Sequence, residues 1–449
     1  TWRRRAGNGA HESSKGTAMK EDTITMEHQR RYSRHHERLI ASKRLQTFFG
    51  LLLVVVLPAM YRWGGDFWFT STTAQWNAFI GTAAAFTLSL TFINRLCQLP
   101  GTKSFAYVIP TVSVSYVVLI ILCSLLEIAV SRLQVGISFA MAVVFGSAFY
   151  YVDSRLTTKR MAVVPFGKAL SLCVKKNTSV RWYMLNSPSL VGVKRIDAVV
   201  ADLRGDLPEE WQRFLADCTI HRIPVYHATQ VHEMLTGRVL LDHLYANEFG
   251  SLSPHEGYEV VKRGLDILGA LLLLPLVSPI MVLTAIAIRR DSPGPALFCQ
   301  PRMGFHCRPF SVYKFRSMYT DHKGQGFTEG DNDPRITRVG RVIRKYRLDE
   351  LPQLVNVLKG DMSFIGPRPE SMSLASWYEK DVPFFHYRHV VRPGISGWAQ
   401  VEQGYAAEVD GMIEKLEYDF YYIKNFSFWL DLLIVLRTIR TVVTGNGSR

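Results

Sequence analysis

The stretch KRGLDILGALLLLPLVSPIMVLTAIAIRR, residues 262–290, decides how this chain is read. Its centre, 267–288, carries no charge and is long enough to cross about 30 Å of hydrocarbon. Two features argue against a simple crossing. Pro275 and the pair Ser278-Pro279 sit in its middle. Proline removes a backbone donor and crowds the preceding turn. Both flanks are basic, Lys262-Arg263 before and Arg289-Arg290 after, whereas a spanning helix usually shows charge asymmetry. The expectation is a re-entrant hairpin over 262–290, broken at Ser278 and Pro279, with both ends in the cytoplasm. Ser278 is expected to supply a hydrogen bond to the opened backbone. The competing reading is a kinked fifth transmembrane helix.

Upstream, four uncharged apolar stretches, 45–61, 76–94, 106–126 and 133–152, each have the length of a membrane crossing. Globular helices of that length would show a polar face. The loops orient them. Residues 1–44 form a basic tail with 11 Lys/Arg and 5 Asp/Glu, read as a cytoplasmic arm without packed structure. The first loop holds Asp66 and no Lys or Arg, the second holds Arg95 and Lys103, and Arg155, Lys159 and Arg160 follow the fourth stretch. This alternation puts both the tail and everything after residue 153 in the cytoplasm.

Composition agrees with a chain partly in lipid and partly in water. It has 449 residues, 48% of them hydrophobic, and a net charge of +15. That charge suits polyanions, namely nucleic acid, anionic lipid or phosphorylated substrates. The tail lacks the aromatic interleaving of single-strand binders, so no nucleic acid is expected. The six cysteines are scattered with no CxxC pair, which argues against a disulfide framework or a structural zinc site.

Residues 159–245 alternate short apolar runs with helical patterns, the rhythm of βαβ units on a parallel sheet. The reading is a degenerate Rossmann-like α/β domain. A dinucleotide site needs G-x-G-x-x-G after the first strand, and here that turn reads Val164-Pro165-Phe166-Gly167-Lys168. A structural or regulatory role is preferred to nucleotide binding.

Residues 289–370 are dense in arginine, glycine and proline. Adjacent carboxylates, Asp349 and Glu350, lie among arginines, a composition suited to phosphoryl transfer, which needs positioning and charge neutralisation. Arginine forks match phosphate oxygens. A carboxylate can hold magnesium together with phosphate oxygens or attack phosphorus itself. The plainer reading of Asp349 is an N-cap, with Pro352 in the first turn of the next helix. The plainer reading of the arginines is a solvated or headgroup-facing basic surface.

Several ordered motifs carry a resemblance. They are Lys262-Arg263-x-x-Asp266, Ser278-Pro279, Gly294-Pro295-x-x-Phe298-x-Gln300-x-Arg302-x-Gly304, Lys314-Phe315-Arg316-Ser317-Met318, Asp333-Pro334-Arg335, Leu348-Asp349-Glu350-Leu351-Pro352-Gln353, the run 360–369 ending Gly366-Pro367-Arg368-Pro369, and Arg392-Pro393-Gly394-Ile395-Ser396-Gly397-Trp398. Over 256–449 the chain resembles the bacterial sugar transferases, the monotopic phosphoglycosyl transferases. With four preceding helices it looks like the large polyprenyl-phosphate hexose-1-phosphate transferases, which include undecaprenyl-phosphate glucose and galactose phosphotransferases. The architecture implied is a membrane α-helical bundle of four transmembrane helices, a Rossmann-like α/β domain, and an α/β catalytic domain with a re-entrant membrane hairpin.

The resemblance also implies a reaction. A UDP-sugar, glucose or galactose first, gives its sugar-1-phosphate to undecaprenyl phosphate and releases UMP. This is a first membrane step of exopolysaccharide, capsule or O-antigen synthesis in the bacterial inner membrane. Asp349 matches the nucleophile that forms a covalent phosphosugar intermediate, and Glu350 the ligand of Mg2+. Arg344 and Arg368 match phosphate-holding positions, with Arg316 and Arg335 in the same substrate-binding set. Lys262 and Arg263 sit where the lipid phosphate would enter. Partners are the UDP-sugar, undecaprenyl phosphate and the bilayer, with self-association into a homodimer left open. The rival readings are a transferase without a covalent intermediate and a catalytically inactive scaffold or regulator of polysaccharide export. The C-terminal run 426–443 fits either an interfacial amphipathic helix or a core-packing one.

Overall fold

The computed structural model describes residues 42–444, except 71, 101–106, 157–158, 175–179, 192, 194, 242–252, 321–332 and 404–408. Nearly all of the basic tail lies outside the described residues. The chain divides into two compact units, Thr1–Thr236 and Gly237–Arg449.

The first unit opens with four long apolar helices: α1 (Lys43–Trp63), α2 (Thr73–Leu96), α3 (Val108–Leu125) and α4 (Arg132–Leu156). Their inward faces share one core containing Val54, Phe86, Val112, Tyr116 and Ala142. Gly50 lets α1 approach α2, since a Cβ there would stand 2.5 Å from the Phe86 ring. The outward faces are apolar too: Ile120, Ile121 and Leu122 of α3 are each more than half exposed. Helices apolar all round belong in lipid or a large core, and the exposure selects lipid. Among the described residues five helices are long and apolar enough to cross a membrane, these four and the one spanning Glu256–Asp291.

The same unit holds β1 (Lys159–Val163), β2 (Val180–Met184), β3 (Ala198–Ala201), α5 (Glu209–Ile220), β4 (Val225–His227) and α6 (Ala228–Thr236). The strands are all parallel, in the order β2-β1-β3-β4. The expected α/β alternation is present. The strand order is that of the flavodoxin-like doubly wound sheets rather than the Rossmann order. At the turn after β1, the Asp202 carboxylate accepts the backbone N–H groups of Lys168 (3.1 Å) and Arg204 (3.3 Å). Gly167 has φ +57°, and a Cβ on it would meet Asp202 Oδ2 at 2.5 Å. One backbone donor of the turn after β1, Lys168 N–H, is thus taken by the domain's own carboxylate, which agrees with the missing glycine fingerprint.

The second unit is built on one 36-residue helix, α7 (Glu256–Asp291). Helical geometry runs through Pro275 and Pro279 without interruption, so the break expected at Ser278 and Pro279 is not a break in the helix. The local chemistry accounts for the continuity. Pro279 cannot donate to the carbonyl four residues back, and Ser278 Oγ donates to that Pro275 carbonyl instead, at 3.0 Å.

Around α7 lie β5 (Leu297–Met303) paired antiparallel with β6 (Pro309–Phe315), then α8 (Arg338–Lys345), α9 (Gln353–Lys359), β7 (Ser363–Ile365) paired parallel with β8 (Gly394–Ser396), α10 (Val409–Lys424) and α11 (Phe428–Thr444). The N-terminal arm of α7 contributes Ala270 to a core with Val312, Val357 and Met362. The C-terminal arm contributes Ile288 to a second core with Phe315 and Ile343, against which Met281 and Ala285 pack. Between them, Leu271, Leu272 and Leu276 are 56–72% exposed. In α11, Leu430, Leu433 and Ile434 are fully buried while Val435 and Ile439 face outward. One face therefore packs in the core, and Asp431 is buried with it.

Candidate active site

Asp349 and Glu350 sit in a single 3-10 turn, Leu348–Glu350, wedged between α8 and α9. The turn is set by Arg347, whose φ of +57° is left-handed, a conformation disfavoured for residues other than glycine. The N-cap of α9 is Pro352, so Asp349 does not cap that helix as its plainer reading supposed.

Glu350 is buried, and its Oε1 is shared by three cations. Arg368 Nη2 lies at 2.9 Å, Lys314 Nζ at 3.1 Å and Arg347 Nη1 at 3.8 Å. Burial alone would raise this carboxyl, but Arg368, Lys314 and Arg347 outweigh it and hold Glu350 well below the usual carboxylate range. Asp349 shifts the other way. Burial pushes it up, and the Glu350 charge adds to that push against Lys314, Arg347 and Arg368. Its Oδ1 is buried and has no hydrogen-bond partner among the described residues. A buried carboxylate oxygen without a partner is costly. One side of the dyad is therefore satisfied by the fold while the other is open to whatever binds beside it.

Arg368 reaches the dyad because two glycine-proline motifs lock together. Gly366 N–H donates to Ser396 O (2.9 Å) and Gly394 N–H to Pro367 O (3.0 Å). A Cβ on Gly366 would stand 2.3 Å from the Arg392 carbonyl, so only glycine allows this crossing. Arg302, Lys314, Gln353, Arg368 and Pro369 line a small pocket beside the dyad. Burial lowers Lys314 and Arg302 below their ordinary values, with Glu350 opposing that in Lys314 and Arg368 adding to it in Arg302.

Of the substrate-binding set expected from sequence, Arg368 joins the dyad. Arg344 is half-buried in the last turn of α8, and its side chain has no partner among the described residues. Arg316 is buried and clamps the loop after α7, donating to Pro293 O (2.6 Å) and Ser292 O (2.7 Å). Arg335 pairs with Asp333 at 2.6 Å. Arg263 donates to Val357 O (2.6 Å) and Leu358 O (3.0 Å), at the C-terminal end of α9 where a cation is favoured. Lys262 is buried and paired with Asp431 at 2.5 Å, beside Tyr258 and Tyr422, which donate to the same carboxylate.

Lys262 and Arg263, expected to meet a lipid phosphate, both hold protein partners and line one small pocket. Lys262→Met is expected to lower stability by about 3–5 kcal/mol, the cost of breaking a buried ion pair and leaving the Asp431 carboxylate without its counter-charge. A thermal melt in detergent unchanged by the substitution would return Lys262 to the ligand set. Sequence reasoning passed over Lys314, Arg347 and Arg302. Lys314 and Arg302 lie inside the family motifs, but nothing in one dimension says which basic residue faces the carboxylates.

A carboxylate pair ringed by cations, on a unit carrying a long apolar helix, is an arrangement suited to phosphoryl chemistry. The comparisons with known proteins agree. A family model described as Bacterial sugar transferase matches residues 257–445. The UDP-N-acetylgalactosamine-undecaprenyl-phosphate N-acetylgalactosaminephosphotransferase of Aeromonas hydrophila is 48% identical over 427 residues, covering 94% of this chain and 100% of that protein. The UDP-glucose:undecaprenyl-phosphate glucose-1-phosphate transferase of Caulobacter vibrioides is 41% identical over 202 residues, 44% of this chain and 76% of that one. The Escherichia coli K12 protein of the same description is 42% identical over 184 residues, 40% of this chain and 39% of its own length. The chain belongs to the bacterial sugar transferase family, among its polyprenyl-phosphate hexose-1-phosphate transferases.

Proposed function

We propose that the protein transfers a sugar-1-phosphate from a UDP-sugar to undecaprenyl phosphate through a phosphosugar intermediate on Asp349. The observation that carries this reading is the Asp349 Oδ1 atom, buried and without a hydrogen-bond partner among the described residues, beside three cations. In the first step the Asp349 carboxylate forms a bond to the sugar-bearing phosphorus. The bond from that phosphorus to the bridging oxygen breaks, and UMP leaves with the electron pair. In the second step an oxygen of undecaprenyl phosphate attacks the same phosphorus and releases the carboxylate. Arg368, Lys314 and Arg347 hold Glu350 ionised and supply the positive field that the donor diphosphate needs.

Magnesium fits this site. The three cations contact Glu350 through Oε1, so Glu350 Oε2 and the unpartnered Asp349 Oδ1 are the carboxylate atoms that would hold the ion. Among the described residues no third carboxylate, histidine or cysteine completes a cluster, so donor phosphate oxygens and water would fill the remaining positions. Bound there, the ion would neutralise charge on the diphosphate.

The relative matched over its whole length is named for an N-acetylgalactosamine donor, whereas the family resemblance puts glucose or galactose first without separating them from an acetamido sugar. UDP-N-acetylgalactosamine is therefore the first donor to test, with UDP-glucose and UDP-galactose beside it. UMP release by the purified protein across this panel, with undecaprenyl phosphate present, is expected for one donor. No release with any donor contradicts the transferase reading and favours the inactive scaffold.

We place the site at the cytoplasmic headgroup level of a bacterial inner membrane, with α7 bending at Pro275 and Pro279 while staying helical, so that it enters one leaflet and returns. The support is that both arms of α7 pack on the same small α/β body, with the exposed leucines and both prolines between them. Arg289 and Arg290 then stay on the cytoplasmic side. Arg290→Cys is expected to react with a membrane-impermeant thiol reagent only from the cytoplasm. Reaction from outside in intact cells would make α7 a fifth crossing.

A further inference from the structure

The segment 368–370 is held at consecutive atoms by charged or backbone donors. Arg388 Nη2 donates to the Arg368 carbonyl at 2.9 Å. Arg302 Nη1 donates to the Pro369 carbonyl at 2.7 Å. Met303 N–H donates to the Glu370 carbonyl at 3.1 Å. The Glu370 carboxylate pairs with Lys415, and Arg388 Nη1 lies 3.5 Å from it. Arg388 is anchored from behind by Asp419, at 2.7 Å. Arg388 and Asp419 are only 1–2% exposed, and Glu370 and Lys415 are also buried. None of the four side chains touches Asp349 or Glu350 among the described residues. The set carries two positive and two negative groups, so its net contribution to the field at the dyad is small. What it does is fix the backbone from which Arg368 reaches Glu350.

We infer that Arg388, anchored by Asp419 and by the Glu370–Lys415 pair, is a positioning residue for Arg368, and that turnover depends on it through Arg368 alone. The inference rests on the transferase reading above. The geometry demands arginine at 388. One terminal nitrogen donates to the Arg368 carbonyl and lies 2.7 Å from Asp419, the other lies 3.5 Å from Glu370, and a lysine point charge cannot span those three partners. A displacement of about 1 Å at a charge-stabilising group can cost roughly a hundredfold in rate.

The test is a double-mutant cycle on the full-length protein in nanodiscs, using Arg388→Lys and Arg368→Gln singly and together. Asp419→Asn serves as a second route to the same loosening. It is read on UMP release and, separately, on the dissociation constant for UDP. Arg388→Lys and Asp419→Asn are each expected to lower kcat about 10–100-fold with the melting transition still cooperative. In the Arg368→Gln background either is expected to cost less than about threefold, because residues that act as a unit are non-additive. Losses that multiply across the cycle would show a role independent of Arg368 and overturn the inference, as would unchanged kcat in both single variants. If the wild type releases no UMP with any donor but UDP binding shows the same non-additivity, the transferase reading fails and the positioning role stands. If the wild type neither turns over nor binds UDP, both fail.

Discussion

Asp349→Asn is expected to reduce UMP release by roughly 10³-fold or more, the scale seen when a covalent nucleophile is removed and only binding and electrostatics remain. Asparagine keeps the shape of the side chain and the 3-10 turn that presents it, but its amide oxygen is too weak a nucleophile to attack phosphorus. The same substitution is expected to leave stability unchanged or raise it. The folded-state pKa of Asp349 is raised by burial and by Glu350. The folded chain therefore holds a proton on this group more tightly than the unfolded chain does, and ionisation at neutral pH costs stability. A neutral isostere removes that cost. Loss of activity with a melting temperature equal to or above wild type is the expected pair of results. Full turnover in the asparagine variant would reassign the nucleophile, and equal loss of fold and activity would make Asp349 structural.

Arg368→Ala carries the second largest expected effect. Arg368 is the nearest of the three cations on Glu350, at 2.9 Å, and its guanidinium lines the pocket beside the dyad. Removing one preorganised charge-stabilising donor costs about 10²–10³ in turnover. Lys314 remains on Glu350 at 3.1 Å, so the carboxylate is not left alone. Destabilisation should therefore stay within about 1–3 kcal/mol. Arg368→Lys is expected to recover only part of the loss, since a point charge cannot bridge Glu350 and a phosphate oxygen as a planar fork can. Steady-state kinetics of the two variants on the preferred UDP-sugar check this. Equal kcat for wild type and alanine variant would leave Lys314 and Arg347 as the only cations that matter.

The membrane helices were legible because an uncharged apolar run of about 17–25 residues matches the hydrocarbon thickness and leaves no polar face for water. The parallel sheet was legible from the alternation of short apolar runs and helical patterns, though not its strand order, which depends on which edge β2 joins. The continuity of α7 was not legible. Proline predicts a lost hydrogen bond, and only the structure shows Ser278 restoring a partner to the Pro275 carbonyl.

At the site, Asp349, Glu350 and Arg368 stand out in sequence through the family resemblance, and the structure brings them together. The other basic residues could not be sorted, because a side chain's partner is chosen in three dimensions. Lys262 finds Asp431 169 residues away, and Arg263 finds the end of α9 94 residues away. Arg347 reaches Glu350 from a left-handed backbone that no spacing announces.

Covalent catalysis here means a bond between Asp349 and the donor's sugar-bearing phosphorus. Its most direct test mixes purified protein with donor radiolabelled in that phosphate, without undecaprenyl phosphate, then maps the label by peptide mass spectrometry. Up to one sugar phosphate per chain is expected on the peptide containing Asp349, with an equal amount of UMP released and no label on the asparagine variant. UMP formed only when the lipid is present, with no labelled peptide at any time, would contradict it.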